Sequence, residues 1–178
     1  ATAQLGNAVA LLLPTNIQLE KLESTDNIEP TRTVTTPFPR ENATPQAIAT
    51  TTELLKKSRR PLIISGVGAH HAGAGQVLEQ LANRIGALLV TSARGKDMFR
   101  DNPYNLGIIG SFSHSMARRF IEQADCVIVF GASLNFWTTS FGTFVPAVPL
   151  VQVDSRRHNI GRFSPADVAV VGDACLVT

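Results

Sequence analysis

Pro61-Leu62-Ile63-Ile64-Ser65-Gly66-Val67-Gly68 is an apolar strand that runs straight into a glycine turn. A strand without polar alternation has both faces covered, as the strands of parallel sheets do. Glycine at its end lets the backbone turn sharply or approach another chain segment closely. The same pattern repeats outward from this stretch. Upstream, Thr44-Pro45 opens a helix, with threonine as N-cap and proline at the first helical position. The helix is expected to run to Lys57, with Ile48, Thr51, Thr52 and Leu55 on its inner face. Downstream, Val77, Leu78, Leu81, Ala82 and Ile85 form a helical stripe stopped by Gly86. Met116, Ala117, Phe120, Ile121 and Ala124 form a second stripe. Apolar strands are expected over residues 87–91, 106–109, 126–130, 150–153 and 168–171.

Strands apolar throughout and separated by helices define the α/β class. The expectation is a Rossmann-like, doubly wound parallel sheet of about six strands in a three-layer α/β/α arrangement. Residues 44–178 hold that domain. Residues 6–14 read as a buried strand with no sheet neighbour nearby in sequence, so residues 1–20 are expected to be the last strand of a truncated preceding domain. Residues 21–43, rich in Thr, Pro, Asn and Glu, have linker composition. The chain is therefore expected to be a fragment of a longer protein.

Composition narrows the function classes. With 44% hydrophobic and 17% charged residues, the 178-residue chain is neither a disordered tail nor a membrane protein. No apolar run approaches the ~20 residues that cross a bilayer. A net charge of +2, with arginine pairs scattered along the chain, argues against a nucleic-acid partner. The two cysteines, Cys126 and Cys175, have no metal or redox spacing and read as reduced thiols in a cytoplasmic protein.

Ligands of such sheets sit beyond the carboxyl ends of the strands. Small and polar residues gather at those ends: Gly66 and Gly68, Thr91, Gly131, Asp154, and Gly172-Asp173. Each glycine either admits a phosphate or only makes a tight turn. Gly66-Val67-Gly68 is not a full dinucleotide fingerprint, because His71 holds the third small-residue position and no carboxylate ends the second strand. An NAD-dependent oxidoreductase domain is thus the alternative reading. His70, His71, His114 and His158 show no metal-ligand spacing, and His70 and His71, in the glycine loop, are expected to be solvated. No nucleophile elbow or paired carboxylates are present, so no catalytic or metal residue is assigned. Phe136, Trp137, Phe141 and Phe144 follow a strand in a Thr/Gly-rich loop and are expected to pack as a satellite of the core, a lid or interface anchor being the alternative.

The order of these motifs resembles the central domain of thiamine-diphosphate-dependent enzymes of the acetolactate synthase, pyruvate oxidase and decarboxylase type. Thr91-Ser92-Ala93-Arg94-Gly95-Lys96 is similar to the family's Thr-x-x-x-Gly-Lys, with Asp97 where a glycine usually follows. Leu106-Gly107-Ile108-Ile109-Gly110 resembles Leu-Gly-x-x-Gly. Ala124-Asp125, Gly131, the strand ending in Asp154, Ile160-Gly161 and Gly172-Asp173 follow in the family's order. The resemblance implies a parent carboligase or decarboxylase, a transferase or lyase, acting on 2-oxo acids. It implies thiamine diphosphate and Mg²⁺ bound by pyrimidine- and diphosphate-binding domains of the same chain, in a homodimer or homotetramer. The fragment itself is then non-catalytic. Its candidate cofactor-binding positions are Gly66, Gly68, Thr91, Gly95, Lys96, Gly107, Gly110, Gly131, Asp154 and Asp173, for FAD, ADP, a CoA nucleotide or nothing, the last being a ligand-free spacer. FAD-binding relatives carry arginine where Ser133 stands and a second aspartate where Arg156 stands. Arg156 tilts the site toward a phosphate-bearing ligand, or the site is vestigial.

Overall fold

A computed structural model describes residues 10, 12–21 and 40–178. Two compact units are distinguished, residues 1–39 and residues 40–178. In the first, the described helix is α1, Thr15–Gln18. Most of the expected strand over residues 6–14 and most of the expected linker lie outside the described residues; residues 10 and 12–14, which are described, are not in a strand.

The second unit carries a six-stranded, all-parallel sheet in the order β3-β2-β1-β4-β5-β6. Its strands are β1 Pro61–Ser65, β2 Leu88–Thr91, β3 Asn105–Ile108, β4 Cys126–Phe130, β5 Leu150–Asp154 and β6 Val168–Val171. The expected doubly wound, three-layer fold is the one observed, and strand order reverses between β1 and β4. Alternate residues of β1 feed the two sides. Ile63 joins Leu89, Ile128, Val151 and Val170 on one face, while Leu62 and Ile64 join Val90, Val127 and Val129 on the other.

The first face is covered by α2, Pro45–Lys57, and α4, Gly75–Ile85. Thr44 Oγ1 accepts the Ala47 N–H and caps α2 as expected. Its inner face differs from the expectation. Ala47, Leu54 and Leu55 pack inward, whereas Ile48 and Thr52 are exposed. α2 lies over β6, and the small Ala47 beside the Leu54–Leu55 pair offers a closer fit than the β-branched face. α4 ends at Gly86, in the left-handed region as a C-cap. The second face is covered by α5, Ser115–Ile121, and by the irregular residues 132–148, which contribute Leu134 and Phe144. On α5, Ala117 and Ile121 are buried, but Met116 and Phe120 of the expected stripe are exposed. One layer of contact suffices for a two-turn helix, so the stripe is narrower than the sequence suggests.

Asp125 latches together the starts of the two central strands, β1 and β4. Its carboxylate accepts hydrogen bonds from Ser58 Oγ, from the Arg59 N–H at 2.9 Å and from the Arg60 N–H at 3.0 Å. Burial pushes this carboxyl upward, but the bonds from Ser58, Arg59 and Arg60 outweigh it and hold it below the usual carboxylate range. The unfolded carboxyl titrates near 3.9. Asp125 therefore adds stability that is present above that pH and is lost as pH falls through the folded value. Replacing Asp125 by Asn should cost about 1 kcal/mol at pH 7, discounted for partial exposure, and less at pH 3. Urea unfolding at both pH values measures this, and an equal loss at both would rule the latch out.

Candidate functional site

Four expected glycines converge where the strand order reverses. The Gly66 N–H donates to Phe130 O at 2.8 Å, and the Gly68 N–H donates to Gly131 O at 3.0 Å. A Cβ on Gly66 would lie 2.2 Å from Gly131 O and 2.6 Å from Ala132 Cα. A Cβ on Gly131, whose φ is +58°, would lie 2.4 Å from Ala69 N. One on Gly95 would lie 3.1 Å from the carbonyl carbon of Gly66. Backbone packs on backbone here. The Gly68 N–H that a pyrophosphate would need is donated to Gly131, so this seam does not fit the pyrophosphate of FAD. Gly66 also serves as N-cap of a five-residue helix, α3, Val67–His71, where the sequence suggests only a lengthened turn.

The remaining expected positions lie apart from this seam. Thr91 is buried at the end of β2, and the next N–H, of Ser92, donates to Ser65 O at 2.8 Å. Lys96 is exposed, with Nζ 3.1 Å from Asp97 Oδ2. Asp97 itself has φ of 70°, a conformation glycine adopts freely, which accounts for the glycine usual at this place. Gly107 and Gly110 belong to the edge strand β3 and the turn after it. Gly110 packs beneath the carbonyls of Trp137 and Thr138. Asp173 lies beyond β6 at the opposite edge, where its Oδ1 accepts the Cys175 and Leu176 N–H groups and caps α6, Ala174–Val177.

The end of β5 is arranged differently. Asp154 Oδ1 accepts the Arg156 N–H at 2.9 Å and Asn159 Nδ2 at 3.0 Å. The Arg156 guanidinium has its Nη2 shut off from solvent, with no hydrogen-bond partner among the described residues. The loop carrying it is tied to the turn after β4 by Gln152. This side chain is 1% exposed, donates Nε2 to Ala132 O at 3.1 Å and accepts the Gly161 N–H at 3.0 Å. Sequence reasoning passed over Gln152. The signal was a glutamine inside an apolar strand, since a buried amide requires partners.

No acid, base or nucleophile assembles among the described residues. His70 and His71 are exposed on α3, and His114 Nδ1 accepts the Met116 N–H at 3.3 Å to cap α5. Burial, reinforced by the charges of Asp125 and Asp167, pushes the Cys126 thiol up and away from the reactive thiolate. No three His, Cys, Asp or Glu side chains come together among the described residues. The aromatic loop corrects another expectation. Phe144 is buried, but Phe136, Trp137 and Phe141 stand 48%, 51% and 72% exposed, and Phe112 stacks on Trp137. Asn135 Oδ1 accepts the Trp137 and Thr138 N–H groups, and Ser140 and Phe141 are left-handed. That turn aims the three rings outward instead of into the core.

Sheet order and glycine seam together define a Rossmann-like domain of the doubly wound class. Residues 48–178 match the family model for the thiamine pyrophosphate enzyme central domain. The chain is 30% identical over 132 residues to a probable acetolactate synthase large subunit of Methanocaldococcus jannaschii, covering 73% of this chain and 22% of that protein. It is 33% identical over 133 residues to a probable 2-ketoarginine decarboxylase of Pseudomonas aeruginosa, covering 72% and 22%. An X-ray structure from Mycobacterium smegmatis, assigned as a thiamin diphosphate-dependent enzyme, shares the fold with a TM-score of 0.63 at 20% identity, covering 80% of this chain and 28% of that one. The chain belongs to the thiamine pyrophosphate enzyme family, as its central domain. It spans about a fifth of the length of these curated relatives.

Proposed function

We propose that this domain serves a thiamine-diphosphate-dependent carboligase or decarboxylase acting on 2-oxo acids, and that it holds a nucleotide while contributing no catalytic group. The names of the relatives, one a synthase and one a decarboxylase, support the parent activity. Thiamine diphosphate supplies the carbanion chemistry when bound, in domains outside this chain. The same reading makes the parent a cytoplasmic homodimer or homotetramer, whose pyrimidine- and diphosphate-binding domains flank this one.

The observation that carries the nucleotide reading is the end of β5. There a carboxylate and a guanidinium without a partner among the described residues stand on the edge where such sheets take ligands. FAD is disfavoured, because Ser133 and Arg156 replace the residues of FAD-binding relatives. Calorimetric titration of the 178-residue chain should show binding of ADP but not of FAD. No binding of ADP or CoA at millimolar concentration would leave only the spacer reading. The same chain supplied with pyruvate, thiamine diphosphate and Mg²⁺ should give no turnover, and clear turnover would overturn the assignment.

A further inference from the structure

We propose that Arg156 makes this domain select a nucleotide whose ribose carries a phosphate group, with Asp154 beside it for the remaining ribose hydroxyl. This rests on the nucleotide reading above and sharpens it. In strand order the two halves of the sheet mirror each other, β4 and β5 standing where β1 and β2 stand in the first half, although residues 132–148 join β4 to β5 without a helix. In dinucleotide-binding sheets an acidic residue about 20 positions after the glycine turn meets the ribose hydroxyls, or, where that ribose carries a phosphate, an arginine nearby accommodates it. In the first half β2 ends in the uncharged Thr91-Ser92. In the second half β5 ends in Asp154, which stands 23 positions after Gly131, and Arg156 follows two positions on.

The side-chain geometry agrees with that placement. Asp154 spends Oδ1 on the Arg156 N–H and Asn159 Nδ2, and among the described residues Oδ2 accepts no hydrogen bond. The Arg156 guanidinium makes no ion pair among the described residues, and its Nη2 is secluded without a partner. A guanidinium cannot shed its proton, so it must find an anion or bear the cost of unpaired burial. Turning it toward a ligand breaks no hydrogen bond or ion pair among the described residues. A phosphate monoester matches its fork of donors and accepts two of them at once. The chain follows with the exposed Arg157, which adds to the positive potential on the same turn.

The test compares adenosine 2′,5′-bisphosphate, adenosine 3′,5′-bisphosphate and ADP as ligands of the 178-residue chain by calorimetry. One bisphosphate should bind about 10- to 100-fold more tightly than ADP, the range of a charge-assisted hydrogen bond. Which of the two gains affinity tells whether the 2′ or the 3′ phosphate is read. Arg156→Gln should bring that bisphosphate down to the affinity of ADP, and Arg156→Lys should keep part of the preference. Gln removes an unpaired charge, so thermal unfolding of the variant should not fall below that of the parent chain. Equal binding of all three ligands, or a preference that survives Arg156→Gln, overturns the proposal and leaves the nucleotide reading intact. Failure of all three to bind overturns both.

Discussion

Gly66→Ala should destabilise the domain by about 3 kcal/mol or more, the upper range for forcing extra volume into a packed site. The added methyl would meet Gly131 O at 2.2 Å and Ala132 Cα and Cβ at 2.6 and 2.7 Å. None of these atoms lies at the end of a flexible side chain, so relief requires β1 and β4 to separate. That separation would strain the Gly66–Phe130 and Gly68–Gly131 hydrogen bonds that close the seam. Gly73→Ala is the control. Its φ is +71°, but nothing lies within 4 Å of the new methyl. The expected loss there is about 1 kcal/mol, from backbone conformation alone. Urea unfolding followed by circular dichroism separates the two, because two-state midpoints shift with stability at constant slope. If both substitutions cost the same, the close packing at the seam does not exist.

Gln152→Leu is expected to cost about 3 kcal/mol, although it replaces an amide by an apolar side chain of similar size in a buried strand. Both ends of the amide are used, by Ala132 O and by the Gly161 N–H. Leucine leaves both backbone groups without this partner, and each such loss costs about 1–3 kcal/mol. Burying the extra apolar surface offsets part of that. The substitution should also loosen the segment that carries Arg156. Amide hydrogen exchange should rise at residues 156–161 and stay unchanged in α4, on the other side of the sheet. Stability equal to that of the parent chain would show that the amide is dispensable.

The strands were legible because burial on both faces favours apolar residues at most positions. β4 and β6 begin and end where the apolar runs do, and β5 extends by one residue to Asp154. α4 was legible through its stripe and its glycine stop. Helix faces were less so. α2 turns Ala47 and Leu54 inward, and α5 leaves Met116 and Phe120 outside, because the face is chosen by what lies beneath it. The glycines are the clearest limit. Sequence marks Gly66, Gly68 and Gly131 as points of close approach, but the approaching atoms come from a strand some 60 residues away. Whether an N–H meets a phosphate or a neighbouring carbonyl is settled only by that distant pairing. The family resemblance stood on firmer ground, since it used the order of many motifs and not the role of any one. Its residues then acquire reasons: Asp125 latches the starts of two strands, and Asp97 tolerates a backbone conformation that suits glycine.

Trp137 is the chain's sole tryptophan, and it lies half in water on the loop after β4, in contact with Phe112, Phe136 and Phe141. Its emission therefore reports on that one loop and hardly at all on the sheet. Half of the indole already meets water, so melting the core should change the colour less than covering the loop would. Covering the loop would shift it to the blue. The chain thus carries an optical gauge for whatever comes to rest on its aromatic face.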